Sequence, residues 1–373
     1  MTKTSDVLVI GGGIIGATCA WRLCQAGLSV GLIEKDEPGE AASKAALGIL
    51  SFHKRPSLPE PMQRLCSESQ NYFPAIIEEL AEAVGERVNY RSNGQLHLAI
   101  DEDDREELEA LLALNHDDAT AAEYLTPEEA VRLESAINPA IVGGVYFPND
   151  AWVDNRELTR AVLRAAEACA VEIVQDEVLE IRTKRGQVRE IRCHSEKYSA
   201  DTYILAAGAW SGRIDGVPPL AVEPVRGQAL AVAGLPVSRV VGSARGLLAP
   251  KGNGETMIGA TLENVGFDAS NSIQGLMRVL EAAFEISPEL TRFKFLEAWA
   301  GLRPGTPDDL PAIGPFEEAA NLIAATGHFR NGILLSPLTA SIVRGLVLDE
   351  SSDLDLAPFS PDREAITASA LNR

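Results

Sequence analysis

"DVLVIGGGIIGATCAWRLCQAGLSVGLIEK", residues 6–35, decides the fold. Residues 6–10 form a β-branched run that stops abruptly at "GGGIIG". Beyond it, Ala17, Ala20, Trp21, Leu23 and Cys24 recur at helical spacing, and Gly27 ends that helix. "SVGLIEK" reads as the next strand. Gly11, Gly13 and Gly16 therefore make G-x-G-x-x-G in a strand-to-helix turn, and Glu34 closes the second strand roughly 20 residues later. The three glycines answer three steric demands. Gly11 permits the tight turn, Gly13 lets backbone approach a pyrophosphate, and Gly16 lets helix and strand pack closely. The helix N-terminus attracts the anion. Glu34 can accept two ribose hydroxyl hydrogen bonds, and its charge disfavours a 2′-phosphate. The pattern predicts a bound dinucleotide without separating NAD from FAD.

Elsewhere the chain repeats part of this grammar. "YILAA" runs into Gly208-Ala209-Trp210-Ser211-Gly212, a second strand ending in a small-residue turn. "GEAASKAALGIL", 39–50, is a small-residue segment suited to lie flat against a cofactor. Residues 57–135 read as polar and helical, with an acidic helix "DEDDREELEALLALNHDD" turning Leu108, Leu111 and Leu112 inward. Thr126, Pro127 and Glu129 spell a capping box, and Asp154 with Glu157 starts a helix through about Cys169. "VEIVQDEVLEIRTKRGQVREIRC" predicts paired strands around a solvated Lys-Arg-Gly turn. Between 221 and 300, "GQALAVAG", "GLLAP" and "ETMIGATL" are strand-like, with a helix near 271–287. "GLRPGTPDDLPAIGP", 301–315, reads as a stiff Pro/Gly loop built around Arg303. Arg330 stands just ahead of the apolar helix "ILLSPLTASIVRGLVL".

Length and composition bound the alternatives. The 373 residues, 46% hydrophobic, suffice for about two domains with a large core. A net charge of −21, from 54 acidic against 33 basic residues, argues against nucleic acid as partner. Cys19, Cys24, Cys66, Cys169 and Cys193 are odd in number and form no C-x-x-C, which points to a reducing, cytoplasmic setting. His53, His97, His116, His194 and His328 are scattered without metal-ligand spacing. No apolar run reaches the ~18 residues of a membrane span, and the N-terminus lacks a signal pattern.

With these motifs in hand, the sequence resembles the D-amino-acid oxidase and glycine oxidase family of FAD-dependent amine oxidases, most closely the glycine oxidase branch tied to thiamine biosynthesis. "VIGGGIIGA", "AALGIL", "AAGAWSG", "VEPVRGQ", "MIGATLE", "WAGLRPGTPDDLPAIGP" and "ATGHFRNGILLSPLTA" occur in family order over nearly the whole chain. The resemblance implies that Arg303 pairs with a substrate carboxylate and that Arg330 lies beside the substrate amine and the flavin. It places Gly11, Gly12, Gly13, Ile14, Ile15, Gly16, Glu34 and Lys35 on the dinucleotide, and Ser43, Ala46, Leu47 and Gly48 near pyrophosphate and flavin. Val178, Gly208 and Trp210 fall near the adenosine part, and Gly327, His328, Phe329, Asn331, Gly332, Ile333 and Leu334 around the isoalloxazine. One departure stands out: relatives carry a tyrosine whose hydroxyl helps hold the carboxylate where this chain has Leu247.

The implied architecture is α/β. A Rossmann-like, non-covalent FAD-binding domain (1–56, 145–220, 300–373) interleaves with an α+β substrate domain on a mixed or antiparallel sheet (57–144, 221–299). The implied reaction is oxidative deamination of glycine or a similar small amino acid by oxygen, giving the oxoacid, ammonia and hydrogen peroxide. A dehydrogenase passing electrons to another acceptor, or a non-catalytic flavin-binding partner protein, fits the same motifs. A homo-oligomer and a thiazole synthase partner are further family-level expectations.

Overall fold

The computed structural model describes residues 3–51, 53, 55, 58–115, 121–351 and 353–371. Strand Lys3–Ile10 lies at the centre of an eight-stranded sheet, parallel to Val30–Glu34 on one side and to Lys197–Leu205 on the other. Strand Glu172–Gln175 extends it in parallel beyond Val30–Glu34, and Ala319–Thr326 pairs in parallel with Tyr203–Leu205. The hairpin Val178–Thr183 and Val188–Cys193 and the strand Ala312–Phe316 complete it. Residues 7–10 and 30–33 of these strands are apolar because both faces of the sheet are covered there. Helices Ile14–Gln25, Asn155–Ala168 and Gly332–Val347 supply Trp21, Leu158 and Leu335 to one buried face.

A second eight-stranded sheet is largely antiparallel and carries one parallel pair, Gln95–Ala99 with Val240–Ser243. Its longest pairing joins Glu223–Ala233 to Lys294–Gly305, where Val225 faces Arg303 and Pro224 faces Pro304. Helix Ile273–Ile286 covers one face through Val279, Ala283 and Ile286.

The chain's predicted elements recur with specific differences. The Thr126 capping box forms with both reciprocal bonds, and Asp154 caps Asn155–Ala168 by accepting from the Arg156 and Glu157 amides. In the acidic helix Arg105–Leu114, Leu108 and Leu111 are buried, while residues 116–118 of that prediction lie outside the described residues. The region read as helical throughout contains the strand Gln95–Ala99, whose five residues are all buried between Gly143–Phe147 and Val240–Ser243. Tertiary pairing overrides local composition there. The expected division of the chain also shifts. Helices Glu60–Gln70 and Phe73–Val84 bury Met62, Leu65, Phe73, Ile76 and Leu80 in the same core as Trp21, and Ser69 donates to the Leu334 carbonyl. Conversely, Gly143–Phe147 and all of Lys294–Gly305 belong to the second sheet.

Candidate active site

The two sheets share one cavity of about 690 Å³. At the first strand-to-helix turn, Gly11 has φ +107°, and a Cβ there would lie 2.4 Å from the Ala206 carbonyl oxygen. A Cβ on Gly16 would lie 1.9 Å from the Gly11 oxygen. Gly13 differs: its Cβ would meet only Ser43 Oγ, at 3.3 Å, so its face is open to the cavity. Helix Ile14–Gln25 has no cap from its own N-terminal residue; Ser43 supplies it by accepting the Ile14 N–H at 2.9 Å. The Ser43 hydroxyl proton has no acceptor among the described residues and can be given to an anion at the helix N-terminus.

Glu34 lies beside this turn. One carboxylate oxygen accepts the Gly12 N–H at 2.7 Å and the other the Asp36 N–H at 3.1 Å. Both oxygens keep a lone pair for a ribose hydroxyl. Lys35 places its ammonium 3.9 Å from the centroid of the Trp210 ring, and Trp210 packs against Phe267. Val178 and Gly208 line the same cavity.

Arg303 is not in a stiff loop. It stands on strand Lys294–Gly305, and the loop begins only at Thr306. The flanking Pro304 is tolerated because it faces Pro224, a position in the ladder where neither residue owes an N–H to the other strand. The Pro304 carbonyl points the other way and accepts the Phe329 N–H at 2.9 Å, which ties Arg303's strand to the turn carrying Arg330. One Arg303 guanidinium nitrogen donates to the Thr261 carbonyl at 3.1 Å. Gly227, on the paired strand, makes room for it: a Cβ at 227 would fall 2.3 Å from the guanidinium. Burial pushes the Arg303 guanidinium down to about 10, and the charge of Arg330 acts in the same direction. It stays cationic near neutral pH, and among the described residues no carboxylate is paired with Arg303 or Arg330. A mostly buried cation beside a second cation, without a counter-ion, is a site for an anion.

Arg330 is exposed at the cavity wall, its guanidinium over the Phe329 ring, and Phe329 takes φ +48°. His328 is buried, with Nε2 3.0 Å from Thr339 Oγ1, and burial pushes it down to about 3. A neutral imidazole of that kind holds position and neither takes nor gives a proton near neutral pH. Helix Gly332–Val347 starts without a side-chain cap, and its first residues Gly332 and Ile333 face the cavity. Inside that helix Pro337 withholds an N–H from the Ile333 carbonyl, and the Ser336 hydroxyl donates to that oxygen instead. Leu247 begins strand Leu247–Pro250, pairs with Gly259 and presents an apolar side to the cavity.

Of the residues singled out in the sequence, the structure gathers Gly11, Gly13, Ile14, Ile15, Glu34, Lys35, Ser43, Ala46, Leu47, Gly48, Val178, Gly208, Trp210, Leu247, Arg303, His328, Phe329, Arg330, Gly332 and Ile333 on this one wall. Gly12, Gly16, Gly327, Asn331 and Leu334 do not line it. Gly12 holds Glu34, Gly16 and Leu334 are packing positions, Gly327 turns the chain at φ +78° against Thr306, and Asn331 takes the helix N-cap position. Sequence reading missed Gly227, although a glycine inside a strand is the usual sign of a close approach. It also missed Asn155, Lys251 and Trp299, which bind the wall from behind. Open glycine faces, two helix N-termini and the Glu34 carboxylate suit a dinucleotide with a negatively charged centre.

Comparison with known proteins agrees with this geometry. Residues 6–346 match the family described as FAD dependent oxidoreductase. The chain is 33% identical over 373 residues to glycine oxidase from Geobacillus kaustophilus, covering 97% of this chain and 98% of that protein. It is 34% identical to the bifunctional protein ThiO/ThiG of Synechocystis sp., and there the match covers 97% of this chain but 54% of the relative. The chain thus spans about half the length of that bifunctional relative. The crystal structure of glycine oxidase from Geobacillus kaustophilus superposes with a TM-score of 0.93 at 32% identity, covering 97% of this chain and 99% of that one.

Proposed function

The chain belongs to the family of FAD dependent oxidoreductases, and from that premise we propose that it oxidises glycine, or a similarly small amino acid, to the oxoacid. The observation that carries this reading is Arg303, a cation held in the cavity with no carboxylate among the described residues paired to it. FAD, when bound, would supply the two-electron acceptor for oxidation at the substrate α-carbon, with oxygen as the final acceptor and hydrogen peroxide as its product. The protein's own groups bind, shield and polarise. Arg303 pairs with the carboxylate and fixes which α-hydrogen is presented. Leu247 and the apolar wall keep water from the α-carbon until the imine has formed; water then hydrolyses it to glyoxylate and ammonia. The N-terminus of Gly332–Val347 and Arg330 supply positive potential where negative charge gathers during the transfer. His328 stays neutral, so the substrate amine has to arrive already deprotonated.

Ser43, Glu34, Lys35 and Trp210 are proposed to hold the pyrophosphate, ribose and adenine ends. Thiazole synthase remains the proposed partner, supported by the joining of ThiO to ThiG in the bifunctional relatives, and a homo-oligomer the proposed assembly. Among the described residues no helix is long and apolar enough to cross a membrane.

The decisive experiment mixes the purified yellow protein anaerobically with glycine, sarcosine and D-alanine in turn. Rapid loss of the oxidised flavin absorbance with glycine, and oxygen consumption on readmitting air, is the expected result. Bleaching by none of the three would remove the amino acid oxidase reading, and bleaching without oxygen consumption would replace the oxidase by a dehydrogenase.

Leu247 gives a second expectation. Leu247→Tyr adds a hydroxyl beside the carboxylate site, worth about 1 kcal/mol net, so KM for glycine should fall about fivefold with kcat little changed. Steady-state kinetics on the variant check it, and an unchanged or raised KM would place the carboxylate away from residue 247.

A further inference from the structure

The wall segment 43–48 is held from behind through its carbonyls. Asn155 Nδ2 donates to the Ser43 oxygen at 2.8 Å and the Lys44 oxygen at 3.2 Å. The indole N–H of Trp299 donates to the Ala45 oxygen at 3.0 Å. Lys251 donates to the Leu47 oxygen at 2.7 Å, and the Val153 N–H donates to the Gly48 oxygen at 2.8 Å. These donors come from different parts of the fold, the helix Asn155–Ala168, the strand Lys294–Gly305, the end of strand Leu247–Pro250 and the strand Ala151–Val153. The N–H groups of Leu47 and Gly48, by contrast, have no acceptor among the described residues, and both residues line the cavity.

Lys251 is the hub. It is 1% exposed, a lysine inside the protein. Its three donors meet three oxygens, those of Leu47 at 2.7 Å, Val153 at 3.2 Å and Asn155 Oδ1 at 3.2 Å. By taking the Asn155 oxygen it turns that amide so that the NH₂ side faces Ser43 and Lys44. Gly48 leaves space for it: with φ +71°, a Cβ there would lie 1.9 Å from the Val153 oxygen and 2.9 Å from Lys251 Nζ. A charge this deep is costly unless every donor is used, and here every donor is used on the wall or on its supports.

We propose that Lys251 is a positioning residue for FAD: through the Leu47 carbonyl and Asn155 it keeps the 43–48 wall turned so that its amides, not its carbonyls, meet the cofactor. This rests on the FAD reading above and adds to it a residue that does not itself line the cavity. The protonated form does the work, because a neutral amine has one donor fewer and directs a lone pair at a carbonyl. Burial pushes the Lys251 ammonium down to about 8; Asp154 and Glu157 oppose that shift and Arg156 adds to it. The hold on FAD is therefore full below about pH 8 and weakens as pH rises through it.

The test titrates apoprotein with FAD, following quenching of flavin fluorescence, for wild type, Lys251→Met, Lys251→Arg and Trp299→Phe between pH 6.5 and 9.5. Lys251→Met should raise the FAD dissociation constant about 10- to 100-fold at pH 7 and abolish the pH dependence. Lys251→Arg should recover part of the affinity, and Trp299→Phe, which loses one bond, should weaken it about threefold to tenfold. A merely structural lysine would lower the thermal midpoints of apo and FAD-loaded protein equally and leave the dissociation constant alone, which overturns the proposal. Should Lys251→Met not fold, an unchanged FAD affinity and pH profile in Trp299→Phe and Lys251→Arg would overturn it equally. If wild type itself fails to bind FAD, the functional reading falls and this proposal with it.

Discussion

Arg303→Ala should lower kcat/KM for glycine by about 10²- to 10³-fold while leaving the bound flavin's absorbance spectrum unchanged. The size follows from breaking a desolvated charge pair, ~3–4 kcal/mol, of which each 1.4 kcal/mol is tenfold in rate. Because the guanidinium already has its place made by Gly227 and its Thr261 contact, little ordering remains to be done when substrate arrives, and the loss falls on positioning as well as affinity. Arg303→Lys keeps the charge but not the planar fork, and should recover only part of the rate. The sign with pH is also fixed. Arg303 is pushed down to about 10 in the free cavity, so the carboxylate-binding cation is present below that value and KM should rise as pH passes it. Kinetics of the two variants with glycine, and a pH series of KM, check this. Wild-type values for Arg303→Ala would take Arg303 out of the site altogether.

Whether such a residue could be found without coordinates depends on how local its reasons are. The first strand, turn, helix and second strand were readable because each residue there obeys a neighbour rule: Gly11 the turn, Gly16 the close helix, Glu34 the strand end. The capping box at Thr126 and the N-cap at Asp154 are equally local. Arg303 was legible as a residue and misread as a setting. Its prolines suggested a loop, whereas Pro304 opposite Pro224 fits a ladder, a fact that needs the partner strand 223–233 to be known. Strand Gln95–Ala99 was lost in a polar stretch for the same reason, since its burial is supplied by strands some 45 and 145 residues away in sequence. Lys251 gave no signal at all. A lysine after "GLLAP" reads as a solvated turn, and only the meeting of Leu47, Val153 and Asn155 around it makes it an interior cation.

The glycines of the first turn separate folding from cofactor binding, and Gly16→Ala and Gly13→Ala should therefore fail in different ways. A methyl on Gly16 would sit 1.9 Å from the Gly11 oxygen, in backbone that cannot move without lifting helix Ile14–Gln25 off its sheet. That helix contributes Trp21, Leu23 and Ala20 to the main core, so a shift large enough to relieve the clash opens packing across it. A cost of at least ~3 kcal/mol is expected, a large part of the stability of an ordinary domain, and most Gly16→Ala protein should be insoluble or melt far below wild type. Gly13→Ala meets only Ser43 Oγ at 3.3 Å, and its φ of −70° is ordinary for alanine. It should fold with a thermal midpoint near that of wild-type apoprotein. Its methyl nevertheless enters the space proposed for the pyrophosphate and crowds the hydroxyl that caps Ile14, so FAD should bind at least about tenfold more weakly. Circular dichroism melts of the two apoproteins, followed by FAD titration of whichever folds, distinguish these outcomes. A Gly13→Ala protein that folds and binds FAD as tightly as wild type would show that the anion does not lie over this turn, whatever else the cavity holds.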